Sequence, residues 1–361
     1  MYPRSFSAPV MRANAGPKRI GENLRATAAA LVAPGKGILA ADESVATATK
    51  RLDAVGVAST PESRRAYREM LLTTPGLGDC MSGVILFDET LRQATDDGVP
   101  FPDYLTEHGV LAGIKVDTGA KPLAGHPGEL VTEGLDGLRE RVAEYAGLGA
   151  RFAKWRAVFS IGVGDGRPSR ACVSANAHAL ARYAALCQEG GLVPVVEPEV
   201  LIDGDHTMDT CEAVTTDVLR AVFAALAEQG VDLEAIVLKP SMVLPGKGSG
   251  QAELVTAVAA ATIRCLRASV PAAVPGVAFL SGGQPPELAT AHLHAMNRLG
   301  PHPWQLTFSY GRALQDPALA AWALDGGATV EAGQAALSHR ARCNSAARSG
   351  TWTLEMEAVG R

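Results

Sequence analysis

Glu234-Ala235-Ile236-Val237-Leu238-Lys239-Pro240 is the stretch on which the fold turns. Apolar, strand-favouring residues run directly into a lysine, and a proline follows. The run is apolar on both faces, as expected of a parallel strand covered by helices. Pro240 has no N–H to give to a ladder, so the strand is expected to end at or near Lys239. That puts a primary amine at the carboxyl end of a buried strand. By itself such a lysine reads as a solvated strand terminus. Its meaning depends on what the rest of the chain gathers around it.

Working outward, the same pattern recurs on both sides. Beyond the stretch, a helix at about 252–268 leads to an apolar strand at 276–283. A helix at about 287–298 leads to another at 305–312, and a helix at about 329–347 precedes a polar tail. Before the stretch, strands are expected at 37–42, 83–88, 111–116, 152–158 and 192–199. Helical patterns fall at about 22–32, 45–52, 61–72, 137–148, 169–189 and 211–228. Eight apolar strands alternating with amphipathic helices read as an α/β chain of one domain, a (β/α)8 TIM barrel over about 21–347. A doubly wound open sheet would call for a glycine-rich fingerprint after the first strand, where Asp42-Glu43-Ser44 stands instead.

Composition bounds the function. The chain has 361 residues, 47% hydrophobic and 20% charged, enough to build a large core. A net charge of −5 supplies no basic field for nucleic acid. No apolar run reaches the roughly 18–20 residues of a membrane span. The six cysteines form no C-x-x-C pair and read as reduced thiols. Residues 1–20 hold Arg4, Arg12, Lys18 and Arg19 and no acid. They read as a disordered arm, with a transit peptide as the alternative. Without a secretory apolar core, the expected location is the cytoplasm, or a plastid if the arm is a transit peptide. Residues 348–361 read as a C-terminal tail.

A barrel of this kind carries its site at the carboxyl ends of the strands. Asp42 ends the first strand and Lys115 lies late in the third. Lys154 and Arg156 share a face of the fourth, and Glu197 and Glu199 a face of the fifth. Lys239, Ser281 and Arg312 end the last three. Each alone reads as a strand end or a structural ion pair. Charges converging on one mouth are hard to ascribe to stability, because burying charge is costly. Ser281-Gly282-Gly283 and Tyr310-Gly311-Arg312 supply backbone N–H groups and a guanidinium for a phosphate. Lys115, Arg156, Ser44 and Thr47 suit a second anion across the mouth. Lys239 then has a role as an imine-forming nucleophile, its pKa lowered by burial and by Lys154. Glu197 is the candidate acid/base for imine formation and Asp42 the base for carbon–carbon cleavage. Glu199 is expected to tune Glu197 and Lys154. The eight histidines avoid the strand ends, and His292 and His294 face different ways on one helix, so no metal site is expected there.

These segments resemble a family. Residues 33–44 (ending Ala40-Ala41-Asp42-Glu43-Ser44), Gly113-Ile114-Lys115-Val116-Asp117 and Phe152-Ala153-Lys154-Trp155-Arg156 follow the pattern of class I fructose-bisphosphate aldolases, the metal-independent Schiff-base kind. So do Val196-Glu197-Pro198-Glu199, Leu238-Lys239-Pro240, residues 279–284 and residues 308–314. The resemblance runs from about Leu31 to Ala347. It implies that Lys239 forms the Schiff base, with Glu197, Asp42 and Lys154 in the roles above. It implies no cofactor, a sugar bisphosphate as the small-molecule partner, and a homotetramer. Substrate contacts are implied for Ser44, Thr47, Arg51, Lys115, Arg156, Ser281, Gly282, Gly283, Ser309, Gly311 and Arg312; Arg51 and Ser309 rest on the resemblance alone. Thr47 stands where a serine is frequent. Many members end in a tyrosine that assists proton exchange at the carbanion, and no tyrosine follows Tyr310 here. Turnover limited at the carbanion/enamine stage is therefore expected. The alternatives are an aldolase for another phosphorylated sugar, such as sedoheptulose 1,7-bisphosphate, and a catalytically idle scaffold.

Overall fold

The computed structural model describes residues 17–327 and 329–358. Eight parallel strands close on themselves: β1 (Gly37–Ala41), β2 (Met81–Leu86), β3 (Leu111–Lys115), β4 (Phe152–Phe159), β5 (Val193–Val200), β6 (Val237–Leu238), β7 (Gly276–Phe279) and β8 (Gln305–Tyr310). Each pairs with the next, and β8 returns to β1 through Ile38 opposite Ser309. All strand residues except Arg156 and a few at the ends are buried, which is why their sequences are largely apolar on both faces.

Two apolar layers hold the barrel. Inside it, Ile38, Ile85, Phe152, Val193, Val195 and Val237 pack together with Leu24, Ala28, Leu31 and Val32. The first helix, Pro17–Leu31, therefore buries one face against the barrel interior. Gly113 is there because the Phe152 ring occupies the space that any side chain on it would need. The larger layer lies outside, between strands and helices.

Several expected boundaries move. The first helix begins at Pro17, not 22, and the expected arm otherwise falls on residues 1–16, outside the described residues. β6 is only two residues long, because Asp232 accepts from the Glu234 N–H (3.1 Å) and winds Leu233–Ala235 into a 3-10 turn. Lys239 still donates its N–H to Val196 (2.8 Å), so it remains at the end of the ladder. Arg312 does not end a strand; it opens the helix Arg312–Trp322 after Gly311. An antiparallel hairpin, Gly119–Pro122 with Leu130–Glu133, lies between β3 and β4 and was not expected. Thr132 on it donates to the Arg156 carbonyl (2.7 Å), docking the hairpin at the carboxyl end of β4. The tail carries a short helix, Glu355–Ala358, whose Glu357 pairs with buried Arg340. No described helix is long and apolar enough to cross a membrane.

Candidate active site

The carboxyl ends of β1, β4, β5 and β6 bring four charges into one row. Lys239 Nζ lies 3.4 Å from Glu197 Oε1. Glu197 Oε2 lies 3.1 Å from Lys154 Nζ, which donates to Asp42 Oδ2 at 2.9 Å. Lys239, Glu197 and Lys154 are each 4% exposed or less. Two cations and two anions in alternation offset one another's burial.

The row sets protonation. Burial lowers the pKa of Lys239 and Lys154 lowers it further, against the pull of Glu197. The amine is thereby pushed toward its neutral, nucleophilic form. Burial also works against the charge on Lys154, but Asp42 and Glu197 outweigh it and hold this ammonium charged. Burial also pushes the Asp42 carboxyl up, yet Lys154, Lys239 and Lys115 together hold it at about 2. The site thus contains one amine inclined to lose its proton beside one that keeps it.

A cleft of about 660 Å³ reaches the Asp42–Lys154 end of this row, lined by these two with Ser44, Thr47, Lys115 and Arg156 among others. Ser44 caps the helix Val45–Ala54, its hydroxyl accepting from the Thr47 N–H, so two hydroxyls stand at a helix N-terminus where an anion is favoured. Lys115 donates to Asp117 Oδ1 (2.5 Å) and Asp117 O (2.9 Å). A second cleft of about 680 Å³, between the helices Arg170–Glu189 and Met208–Glu228, lies apart from these charges.

The remaining sequence candidates form a second group at the ends of β7 and β8. Gly282 and Gly283 both take left-handed backbone, at φ 60° and 84°, which a side chain would disfavour. A Cβ on Gly283 would lie 2.9 Å from the Arg312 guanidinium. Bare backbone and guanidinium therefore sit side by side. Ser309 is 1% exposed and its hydroxyl has no partner among the described residues. Ser281 is buried, and Gly311 precedes the Arg312 helix.

Some candidates are differently engaged than expected. Glu199, expected to tune Glu197 and Lys154, is bonded by Arg156 Nε. Arg51 is held by Glu43 and by Asp316 (2.8 Å), in an ion network beside the mouth. Sequence reasoning missed Asp117, which accepts from Lys115, the Gly119 N–H (3.1 Å) and the Arg156 N–H (3.2 Å). It also missed Gln284, which donates to the Ser281 carbonyl (2.8 Å) and is paired with buried His292 (2.7 Å). Both lie inside quoted segments, but nothing local marks them. His339, Cys343 and Glu357 have ligand atoms within 4.8 Å of one another, with Glu357 already committed to Arg340.

The model of the family described as fructose-bisphosphate aldolase class-I matches residues 23–360. The chain belongs to the class I fructose-bisphosphate aldolases. A Xanthomonas campestris pv. campestris protein named "Probable fructose-bisphosphate aldolase class 1" is 59% identical over 92% of this chain and 98% of its own. An Arabidopsis thaliana protein named "Fructose-bisphosphate aldolase 6, cytosolic" is 51% identical over 92% of each. A solved Plasmodium falciparum aldolase, in complex with TRAP and a small molecule inhibitor, superposes with a TM-score of 0.91 at 47% identity, covering 93% of this chain and 96% of that one. This aldolase is accordingly a metal-independent lyase of sugar phosphate metabolism.

Proposed function

We propose that the aldolase cleaves fructose 1,6-bisphosphate through an imine on Lys239, with the charged row as its proton-handling machinery. The observation that supports these roles is the unbroken row Lys239, Glu197, Lys154, Asp42, with neighbours 3.4, 3.1 and 2.9 Å apart. Neutral Lys239 attacks the ketone carbon. Glu197, touching that amine, passes protons as the carbinolamine loses water to give the iminium. Asp42, ionised at neutral pH, accepts the proton of the C4 hydroxyl. The C3–C4 bond then breaks, its electron pair entering the iminium to form an enamine, and glyceraldehyde 3-phosphate leaves. Protonation at C3 and hydrolysis of the imine release dihydroxyacetone phosphate and restore Lys239. Lys154 keeps the two carboxylates apart in charge, and Glu199 orients Arg156.

One phosphate is assigned to Ser281, Gly282, Gly283, Ser309, Gly311 and Arg312, and the other to Ser44, Thr47, Lys115 and Arg156. Arg51 acts on this second phosphate through its ion network or by leaving it. We further assign the protein to the cytoplasm, as named for the Arabidopsis relative, and to a homotetramer. Light scattering giving a monomer mass would contradict the latter. The reading is tested by triose phosphate release from fructose 1,6-bisphosphate and sedoheptulose 1,7-bisphosphate, with chelator present. The first is expected to be cleaved with the higher kcat/KM, and Glu197→Gln to lose the activity on both. Equal or reversed preference would overturn the substrate assignment.

A further inference from the structure

Gln315 lies one turn into the helix that Arg312 opens, and it is fully buried. The chemistry above does not use it, yet both ends of its amide are engaged. Nε2 donates to the Ala40 carbonyl and to Glu43 Oε1 (2.9 Å). Oε1 accepts from the Tyr67 hydroxyl (2.9 Å) and from Arg51 Nη1 (3.3 Å). Ala40 and Glu43 flank Asp42 in the chain, so the amide grips the β1 terminus on both sides of the proposed base. Glu43 is gripped again by Arg51 and by Arg68 (2.7 Å). A buried amide contributes little net stability over an apolar side chain of its size, because its bonds replace bonds to water. What it adds is direction: each of its four bonds fixes an angle as well as a distance.

We infer that Gln315 is a positioning residue for the carbon–carbon cleavage step. It fixes Asp42 relative to the reacting carbon and in register with the helix bearing Arg312. This rests on the roles proposed for Asp42 and Lys239. Imine formation needs Lys239 and Glu197, on β6 and β5, and Gln315 touches neither. The two steps should therefore separate when Gln315 is changed.

The test uses the whole chain with Gln315→Met, which keeps volume and loses every bond. Gln315→Glu is its companion; it keeps the acceptor but sets a carboxylate against Glu43 and the Ala40 carbonyl. Each protein is assayed for fructose 1,6-bisphosphate cleavage and for borohydride trapping of dihydroxyacetone phosphate on Lys239. Misplacing a catalytic group by about 1 Å costs on the order of a hundredfold, so kcat is expected to fall about ten- to a hundredfold. The trapping rate should stay within about threefold, since the Lys239–Glu197 contact that imine formation uses does not involve Gln315. Gln315→Glu should fall at least as far as Gln315→Met. Trapping that falls in parallel with cleavage would overturn the inference, because a merely structural role predicts it. Cleavage unchanged in both variants would overturn it too. Absence of a Lys239 adduct in the parent protein would instead overturn the assignment of Lys239.

Discussion

Removing the charge of Lys154 is the most informative single perturbation of the buried row. Lys154→Met keeps the side chain's length but leaves Asp42 and Glu197 without the cation they share at 2.9 and 3.1 Å. Asp42 gives a scale for the effect. Its carboxyl is held at about 2 against an ordinary 3.8. That depression is linked to roughly 2 kcal/mol of stability. The sign follows from a lowered carboxylate pKa: this stability is fully present above about pH 4 and is lost as pH falls toward 2. Without Lys154, burial pushes the Asp42 pKa up, and Glu197 becomes a second under-compensated anion. Breaking a buried pair costs about 3–5 kcal/mol, so a loss of about 3 kcal/mol at pH 7 is expected. The deficit should shrink at lower pH, where the orphaned Asp42 carboxylate takes up its proton. The cleavage rate should fall at least about a hundredfold, because Asp42 loses the cation that keeps it ionised as the base. Urea unfolding at pH 7 and pH 5, with steady-state cleavage, reads both effects. Stability within about 0.5 kcal/mol of the parent at pH 7 would refute the reasoning, since that is the range of a solvent-exposed pair and not of a buried one.

Other outcomes follow from the same structure. The rate of borohydride trapping on Lys239 should rise with pH with a midpoint below the ordinary lysine value of 10.5, since burial and Lys154 favour the neutral amine; a midpoint at or above that value contradicts the proposed activation. Gly283→Ala places a side chain at φ 84° and 2.9 Å from Arg312, so KM for fructose 1,6-bisphosphate should rise about tenfold with little change in kcat. An unchanged KM would count against the assigned phosphate role of Arg312. Glu357→Gln removes the anion paired with Arg340, a residue 3% exposed, and should lower unfolding free energy by about 3 kcal/mol in a urea titration. A change below about 0.5 kcal/mol would mean that water reaches this pair.

The barrel was legible because burial on both faces forces an apolar strand, and eight such runs leave few architectures. Asp42, Lys154, Glu197 and Lys239 stood out for the complementary reason, as charges placed where apolar residues were required. The hairpin at 119–133 escaped notice because its strands are four residues each and its anchors are distant in sequence: Thr132 donates to the Arg156 carbonyl, and Asn176 bonds the Thr132 N–H and the Leu130 carbonyl. β6 was read too long because Asp232 captures a backbone N–H, a local bond that apolar periodicity does not reveal. The bond between Glu199 and Arg156 was not legible, for a geometric reason. Two residues on one strand face share a direction but differ in depth, and the outer one meets Arg156. Gln315 acts through partners far along the chain, and Asp117 ties its neighbours Lys115 and Gly119 to distant Arg156, so no spacing rule could single them out. Arg51 and Ser309 came from family resemblance; of the two, Ser309 has the free buried hydroxyl that a ligand could use.

The central claim is that Lys239 is the amine that carries the substrate. Borohydride reduction in the presence of dihydroxyacetone phosphate and chelator, followed by peptide mass spectrometry, tests it most directly. The account predicts one stable adduct, on Lys239, absent from Lys239→Met, while Lys154 in the same buried row stays unmodified. An adduct on Lys154 or any other lysine, or none with the folded protein and bound ligand, would contradict it.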